Sequence, residues 1–304
     1  MSNAIDLFLE GLTAERGASQ NTLAAYERDL IDFSEHLKTT EITSATSKHI
    51  RTYLQELHGR SLEPRTIARR LSALRHFYHF LHEQKQISEN PALDIDMPKI
   101  GKTLPKTLTQ DDITDLVEAA YSKEGPEGIR LVCLLELLYA TGLRVSELVA
   151  LPCSDMMAAL RTDQIPAPLI VRGKGNKERL VLLSKTALES VKSYLDVRAI
   201  FDPANQKLGQ FLFPSTAQQG YLTRQRFGQL LKELAIESGI DTSKVSPHII
   251  RHAFASHMLN NGADLLSLQK LLGHSDISTT EIYTHVMGDR LEKTVLEHHP
   301  LSKS

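Results

Sequence analysis

This 304-residue sequence has little cysteine and no long apolar run. Its thiols are Cys133 and Cys153, too few for a disulfide framework or a thiolate metal site. No stretch approaches the roughly 18 consecutive apolar residues of a membrane span. The N-terminus lacks a basic segment followed by an apolar one. We therefore expect a cytoplasmic protein that is neither secreted nor inserted into a membrane.

The sequence also lacks the motifs of nucleotide and metal chemistry. A complete GxxxxGK[ST] phosphate loop is absent, although Lys174 is flanked by glycines. His248 and His252 have the i, i+4 spacing that suits zinc, but the glutamate of HExxH is missing and no cysteine or aspartate set completes a site. These absences predict a protein that works without a metal ion or other cofactor.

Positive charge is not in overall excess. The formal net charge of −2 does not by itself indicate a nucleic-acid-binding protein. The charge is unevenly distributed, however, and local charge matters more than the sum. A solvated helix face is the alternative explanation for each basic cluster. One cluster comprises Arg51, Arg60, Arg65, Arg69, Arg70 and Arg75, and the other comprises Arg172, Lys174, Lys177 and Arg179.

Residues 1–87 have the pattern of a helical domain. Leu23, Tyr26, Leu30 and Phe33 recur at helical spacing, and further helices are predicted over 47–57 and after Pro64. From 88 to 109 this pattern stops, because prolines and a glycine remove helix donors and favour extended backbone. The sequence therefore predicts a helical domain over 1–87 and a linker over 88–109.

Residues 110–304 have a mixed pattern. An apolar helix is predicted over 127–140, and two short β-rich runs over 169–172 and 179–183 are joined by a glycine-rich hairpin turn. Further helices are predicted over 185–199, over 223–237 and after Ser246-Pro247. The expected fold is mostly α with a small β-sheet, a helical domain preceding a mixed α/β domain.

Two arginines and a histidine of this second domain can hold a phosphodiester. Arg144 follows Gly142-Leu143 at a helix junction, and Arg251 lies three residues after His248 on the same helix face. Guanidinium groups suit a phosphate because their planar donors grip two oxygens at once. For Arg144 alone, a surface arginine paired with a glutamate is the alternative interpretation.

Tyr283 is the candidate nucleophile. An ordinary phenol has a pKa of about 10, so covalent catalysis requires its proton to be removed or its anion to be stabilised. The arginines and His248 supply the base and the positive field. His274, nine residues earlier, is placed to donate a hydrogen bond to a non-bridging phosphate oxygen. For a lone tyrosine in an amphipathic helix, packing is the alternative.

A lysine and a glutamate complete the candidate site. Lys174 lies at the tip of the predicted hairpin, where it can protonate the departing 5′ oxygen, and Lys177 is its rival for that role. Glu147, one turn after Arg144, supports the site in one of two ways. It either orients a catalytic histidine or forms an ion pair with Arg144.

These segments together resemble the tyrosine recombinases of the phage integrase family, over nearly the whole chain. ATGLRVSEL, RGKGNKERL, HIIR, LLGHSD and IYTH carry the resemblance, and LNNGADL with the closing EHHP resembles the XerD branch of the Xer recombinases. In that family, the lysine directly after the equivalent of Gly173 is the catalytic one. The resemblance implies the catalytic set Arg144, Lys174, His248, Arg251, His274 and Tyr283.

The resemblance also implies a fold, a reaction and partners. The helical domain is expected to be a SAM-like core-binding domain, and the second a catalytic domain that cuts and rejoins double-stranded DNA through a 3′-phosphotyrosine, resolving chromosome dimers at cell division. Expected partners are a DNA recombination site, a paralogous XerC-like recombinase in a tetramer, and an activating DNA translocase at the division septum. A tail over 288–301 is expected to dock in trans. The two basic clusters, independently of the resemblance, supply the expected DNA contacts, which are Arg69, Arg70, Arg75, Arg172, Lys177 and Arg179.

Other functions are compatible with the same motifs. A type IB topoisomerase uses the same chemistry to let one strand swivel, and a catalytically inactive DNA-binding protein can share the fold. Within the recombinases, membership of the XerC branch or of another integrase group is the alternative to the XerD branch. One departure from the family pattern is the stretch 156–168, which looks longer than the usual connection into the lysine hairpin.

Overall fold

The computed structural model describes residues 3–16, 20–97, 107–162, 164–173, 178–202 and 210–272. The chain divides into two compact units, Met1–Leu104 and Pro105–Ser304. In the described residues, both units are built from helices, and the second also contains a two-stranded sheet. The expected fold class, mostly α with a small β-sheet, is confirmed.

The first unit is a helical domain with its own core. Its buried residues include Leu30, Phe33, Leu71 and Phe77, which lie at the helical spacing that the sequence shows. Ile95, within the predicted linker, is also buried in this core. The chain beyond residue 87 therefore still packs on the first unit. The helices are α1 (Asn3–Arg16), α2 (Gln20–Leu37), α3 (Ser47–Gly59) and α4 (Pro64–Glu83).

The second unit is arranged around one buried helix, α6. All of its residues from Arg130 to Thr141 are buried, and α5, α9 and α11 pack around it. A helix that is apolar on every side must be covered on every side. The helices are α5 (Gln110–Tyr121), α6 (Gly125–Thr141), α7 (Val145–Val149), α8 (Cys153–Leu160), α9 (Lys185–Val197), α10 (Arg224–Glu237), α11 (Pro247–Asn260) and α12 (Leu265–Leu272).

A β-hairpin packs beside these helices. Strand β1 (Ala167–Arg172) pairs antiparallel with β2 (Glu178–Leu183), so that Arg172 lies opposite Glu178. The predicted β-rich runs are therefore found. The stretch expected to be a long connection into the hairpin is different. It begins inside α8, whose Met156 and Ala159 are buried, and α8 packs against β1.

Gly142 sets the geometry where α6 ends. It has a left-handed backbone with φ of 59°, which favours glycine because it has no Cβ. A Cβ built there would lie 2.5 Å from Cδ1 of Phe254 and 3.0 Å from Cδ2 of Leu272. Only glycine permits this close approach of α6 to α11 and α12.

Candidate active site

Arg144 is held by a carboxylate one turn further along the chain. It is the N-cap residue of α7, and its backbone N–H donates to Oε2 of Glu147 over 2.7 Å. Its guanidinium Nη1 donates to Oε1 of the same carboxylate over 2.9 Å. The Arg144 side chain is 36% exposed. Glu147 therefore fixes both the backbone and the side chain of Arg144, and that side chain stays partly exposed.

Arg179 of β2 binds the same carboxylate from the other side. Its Nη1 and Nη2 donate to the two Glu147 oxygens over 2.8 and 2.7 Å, the bidentate geometry typical of strong arginine–carboxylate pairs. Its Nε donates to the carbonyl of Leu271 over 3.0 Å. The side chain is only 10% exposed. It thus lies inside the unit, whereas its place in a basic cluster of the sequence led us to expect it at the DNA surface.

Arg251 of α11 contacts the chain two residues before Arg144. Its guanidinium donates to the carbonyl of Gly142 and, over 2.7 Å, to the carbonyl of Leu272. The residue is buried. The two acceptors belong to the junction before α7 and to the last turn of α12. Arg251 therefore connects three elements that are distant in sequence.

The three guanidinium groups form one electrostatic cluster. Burial, followed by the charges of Arg144 and Arg179, lowers the pKa of Arg251 to about 10. For Glu147, burial alone would raise the pKa, but the hydrogen bonds and charge of Arg179 and the hydrogen bonds of Arg144 outweigh it and hold that pKa below its ordinary value. Three positive charges thus face one negative charge, and the excess positive potential favours an anion.

The remaining candidates divide into those the structure describes and those it does not. His248 is exposed one turn before Arg251, and its ring centroid lies 5.6 Å from that of His252. Arg172 is exposed at the end of β1 and bonds Glu178 over 3.0 Å. The other candidates, Lys174, Lys177, His274 and Tyr283, lie outside the described residues.

A cleft opens beside Arg144. It has a volume of about 430 Å³ and is lined by α7, the start of α8 and β1, with Ser146, Asp155 and Arg172 among its polar residues. Asp155 and Ser146 could not be recognised from the sequence, because nothing in their local pattern distinguishes them from ordinary surface residues. The cleft places polar groups next to the arginine cluster.

Glu147 was expected either to orient a histidine or to pair with Arg144. Its partners among the described residues are Arg144 and Arg179. The second partner was not anticipated, since no local pattern links residues 32 positions apart. A role toward a histidine stays a prediction, because His274 is outside the described chain.

The arginines expected to bind DNA in the first unit all make intramolecular contacts. Arg69 bonds Asp29 and Arg70 bonds Asp32, which neutralises their charges, and Arg70 also donates to the Tyr53 hydroxyl over 2.8 Å. Arg75 donates to the carbonyl of Ile95, which belongs to the same unit. Of the first two, Arg69 is the more exposed, at 44% against 17%.

Two further observations concern the chain as far as it is described. No helix there has both the length and the apolar character to cross a membrane. No group of three or more His, Cys, Asp or Glu side chains there is arranged to hold a metal ion.

A helical unit followed by an α-rich unit with an arginine cluster at a helix junction defines a class of enzymes that act on phosphodiesters. Residues 106–290 match the phage integrase family, and residues 5–85 match the phage integrase N-terminal SAM-like domain. The chain belongs to the phage integrase family and is a site-specific tyrosine recombinase, an enzyme that cuts and rejoins DNA.

Similar proteins cover the chain almost end to end. It is 48% identical over 300 residues to tyrosine recombinase XerD of Caulobacter vibrioides. The match covers 98% of this chain and 96% of that protein. It is 44% identical over 303 residues to tyrosine recombinase XerD of Rickettsia bellii, with 99% of each chain covered. The resemblance found from the motifs is therefore confirmed.

Solved structures show the same fold. The XerH site-specific recombinase in its post-cleavage complex with palindromic difH substrate has a TM-score of 0.66 at 21% identity, covering 96% of this chain and 84% of that one. The Tn1549 transposon integrase in complex with circular intermediate DNA has a TM-score of 0.67 at 19% identity, covering 95% and 99%. At these identities the likeness establishes the fold.

Proposed function

We propose that this recombinase cleaves duplex DNA with Tyr283 as nucleophile and acts in the cytoplasm to resolve chromosome dimers at cell division. The single observation that carries the proposal is the cluster of Arg144, Arg179 and Arg251 around one carboxylate, which supplies excess positive charge beside an open cleft. The similarity to XerD recombinases over the whole chain supports the cellular role.

The proposed cleavage uses the side chains in distinct roles. Arg144 and Arg251 bind the scissile phosphate, and the negative charge that grows in the transition state strengthens both contacts. His248 accepts the phenolic proton of Tyr283. His274 donates a hydrogen bond to a non-bridging oxygen. Because arginines stabilise this charge, no metal ion is required by the proposal.

The bond changes balance without an external energy source. The Tyr283 oxygen attacks phosphorus, the bond from phosphorus to the 5′ oxygen breaks, and Lys174 gives that oxygen a proton. The 3′-phosphotyrosine retains a phosphodiester, so the 5′ hydroxyl of a second strand can reverse the reaction and join the strands. The absence of an ATP motif from the sequence is consistent with this scheme.

The partners are part of the proposal. We infer a tetramer on DNA with a paralogous XerC-like recombinase, an activating DNA translocase, and a tail over 288–301 that docks on a neighbouring subunit. That tail lies outside the described residues, and its apolar positions Leu291, Val295 and Leu296 support docking, since a short helix is seldom stable alone in water. Domain bounds of 1–87 and 110–304 around a linker are likewise proposed.

The direct test is covalent trapping on a nicked suicide substrate built from a candidate chromosomal dimer-resolution site. The wild-type protein should form an adduct that mass spectrometry assigns to Tyr283, with EDTA present. Tyr283→Phe should bind the DNA and form no adduct. An adduct on Tyr194 or Tyr221, or cleavage that requires Mg²⁺, would contradict the mechanism. Relaxation of supercoiled DNA without site preference would instead favour the type IB topoisomerase activity.

A further inference from the structure

Arg179 connects the parts of the candidate site. Its side chain reaches from β2 to the Glu147 carboxylate on α7 and to the Leu271 carbonyl in the last turn of α12. Five residues before it in sequence is Lys174, the proposed proton donor. The Arg179 side chain on β2 thus contacts both α7 and α12. In sequence, α7 follows Arg144, α12 precedes His274, and β2 follows Lys174.

The Arg179–Glu147 pair is largely withdrawn from solvent, with side chains 10% and 5% exposed. Removing one member of a buried pair leaves the other charge without compensation. If Arg179 is lost, the Glu147 carboxylate keeps only Arg144 among the partners described here. Its full negative charge then acts on Arg144 and competes with a phosphate for that guanidinium.

A lysine cannot reproduce what Arg179 does. The contacts use Nε, Nη1 and Nη2 in one plane, with the two terminal nitrogens on separate carboxylate oxygens and Nε on a backbone carbonyl. An ammonium group is a point charge without this fixed fork. The geometry therefore depends on the guanidinium and not on charge alone.

The last turn of α12 is held by two arginines in succession. Arg179 binds the carbonyl of Leu271, and Arg251 binds the carbonyl of Leu272. Both carbonyls belong to the last two described residues of α12. Arg251 is a proposed phosphate ligand, so the end of α12 and the phosphate site share a guanidinium.

We propose, building on the function inferred above, that Arg179 is a positioning residue for strand cleavage. It neutralises Glu147 so that Arg144 stays available to the phosphate, and it fixes the end of α12 relative to β2. It does not touch DNA. This differs from the DNA-contacting role that the basic cluster suggested for it, and it predicts a defect in cleavage with DNA binding retained.

The test compares Arg179→Met and Arg179→Lys with wild type on intact and nicked sites. Arg179→Met should bind DNA within about threefold of wild type and cleave about 100-fold more slowly, the size expected from misplaced catalytic groups. Arg179→Lys should recover less than a tenth of that loss. Arg226→Met, which removes a surface arginine paired with Glu233 over 2.9 Å, controls for charge loss in the same unit.

Two further measurements separate this role from a structural one. In a Glu147→Gln background, Arg179→Met should cost much less than it does in wild type, since no buried charge remains to compete for Arg144. The second measurement uses a 5′-bridging phosphorothiolate substrate, whose leaving group needs no proton. On it, Lys174→Ala should recover strand cleavage and Arg179→Met should not. Rescue of Arg179→Met there would reassign its effect to the lysine.

Other outcomes also decide the matter. Equal losses of binding and cleavage would make Arg179 a DNA contact, and an unchanged cleavage rate would remove its role altogether. If Arg179→Met does not fold, Arg179→Lys and the double variant with Glu147→Gln decide between the same outcomes. A wild-type protein without a Tyr283 adduct would overturn the proposed function itself, whatever Arg179 does.

Discussion

The hydroxyl of Tyr139 lies 2.9 Å from Nδ1 of His257, inside the second unit. The other ring nitrogen, Nε2, lies 3.0 Å from the carbonyl of Leu108. Because a carbonyl can only accept, Nε2 carries the hydrogen. Burial lowers the pKa of His257, so at neutral pH its Nδ1 carries no hydrogen and accepts from Tyr139. The buried imidazole is therefore neutral, and it ties the first described residues of this unit to α6 and α11.

Tyr139→Phe should destabilise the second unit by about 1–2 kcal/mol, because Nδ1 of His257 is left buried without its donor. Urea unfolding followed by circular dichroism at pH 8 measures this. Tyr221→Phe is the control, since that side chain is half-buried and its hydroxyl makes no hydrogen bond with a described residue. Equal losses in the two variants would count against the buried bond.

His257 should also make the stability of the second unit depend on pH, and the direction follows from the shift of its pKa. Burial lowers its pKa below 6.5, with the Leu108 bond opposing. The unfolded chain therefore binds the proton first as pH falls. Stability from this group is complete above pH 6.5 and is lost as pH falls through the lower folded pKa. His257→Gln should reduce the dependence of unfolding free energy on pH in that acid range.

Glu136 should make the stability of the second unit fall as pH rises, the opposite of the effect of His257. It is buried on α6, its Oε2 has no hydrogen-bond partner in the described part of the chain, and burial raises its pKa to about 7, with Tyr121 opposing. The folded state thus keeps a proton that the unfolded state has released. The unfolding free energy should fall by about 3 kcal/mol as pH rises from 4.5 to 8.

Glu136→Gln should remove this loss, because the amide does not titrate. The measurement is urea unfolding of both proteins at several pH values between 4.5 and 8. Parallel curves for wild type and variant would show that the Glu136 carboxyl does not titrate as described.

In the first unit, we expect exposed cations to contribute more to DNA affinity than the paired ones. Arg51 and Arg65 are exposed and have no ion pair with any described residue, whereas Arg70 is held by Asp32 and Tyr53. Neutralising Arg51 and Arg65 together should reduce the slope of log K against log salt by about 2, one counterion per lost phosphate contact. Arg70→Met should change stability more than slope. The reverse ranking, from titrations at several salt concentrations, would refute this assignment.

Deleting residues 289–304 should separate binding from assembly. The truncated protein should bind a single site nearly as well as wild type, because the deleted segment follows the proposed phosphate ligands. Synapsis and recombination should fall, since the segment is proposed to dock on a neighbouring subunit. Gel-shift and recombination assays measure the two effects. Full-rate recombination by the truncated protein would exclude docking in trans.

Local rules explain what could be predicted from the sequence. The Thr109 hydroxyl accepts from the Asp112 N–H over 3.1 Å, and the Asp112 carboxylate accepts from the Thr109 N–H over 2.7 Å, the cap that their spacing indicates. The Ser246 cap of α11 is likewise present, with its hydroxyl accepting from Ile249. Both depend only on residues within one helical turn.

The inward position of Arg179 could not be predicted in this way. Its partner Glu147 is on another element, and the strand pattern around it gives no sign that a charged side chain turns toward the core. Only the packing of β2 against α7 and α12 makes a buried acceptor available. The family motifs identified the neighbourhood of the site, but the pairing of charges inside it required the three-dimensional structure.

The tight joint at Gly142 limits how this enzyme can be retargeted. A side chain there would collide with Phe254, and the backbone that would have to move also provides the carbonyl that Arg251 binds. Libraries designed to evolve new target sequences should therefore keep this codon fixed and diversify exposed positions such as Arg172. Substitutions of Gly142 would inactivate the enzyme, so a selection would discard them whatever target sequence they preferred.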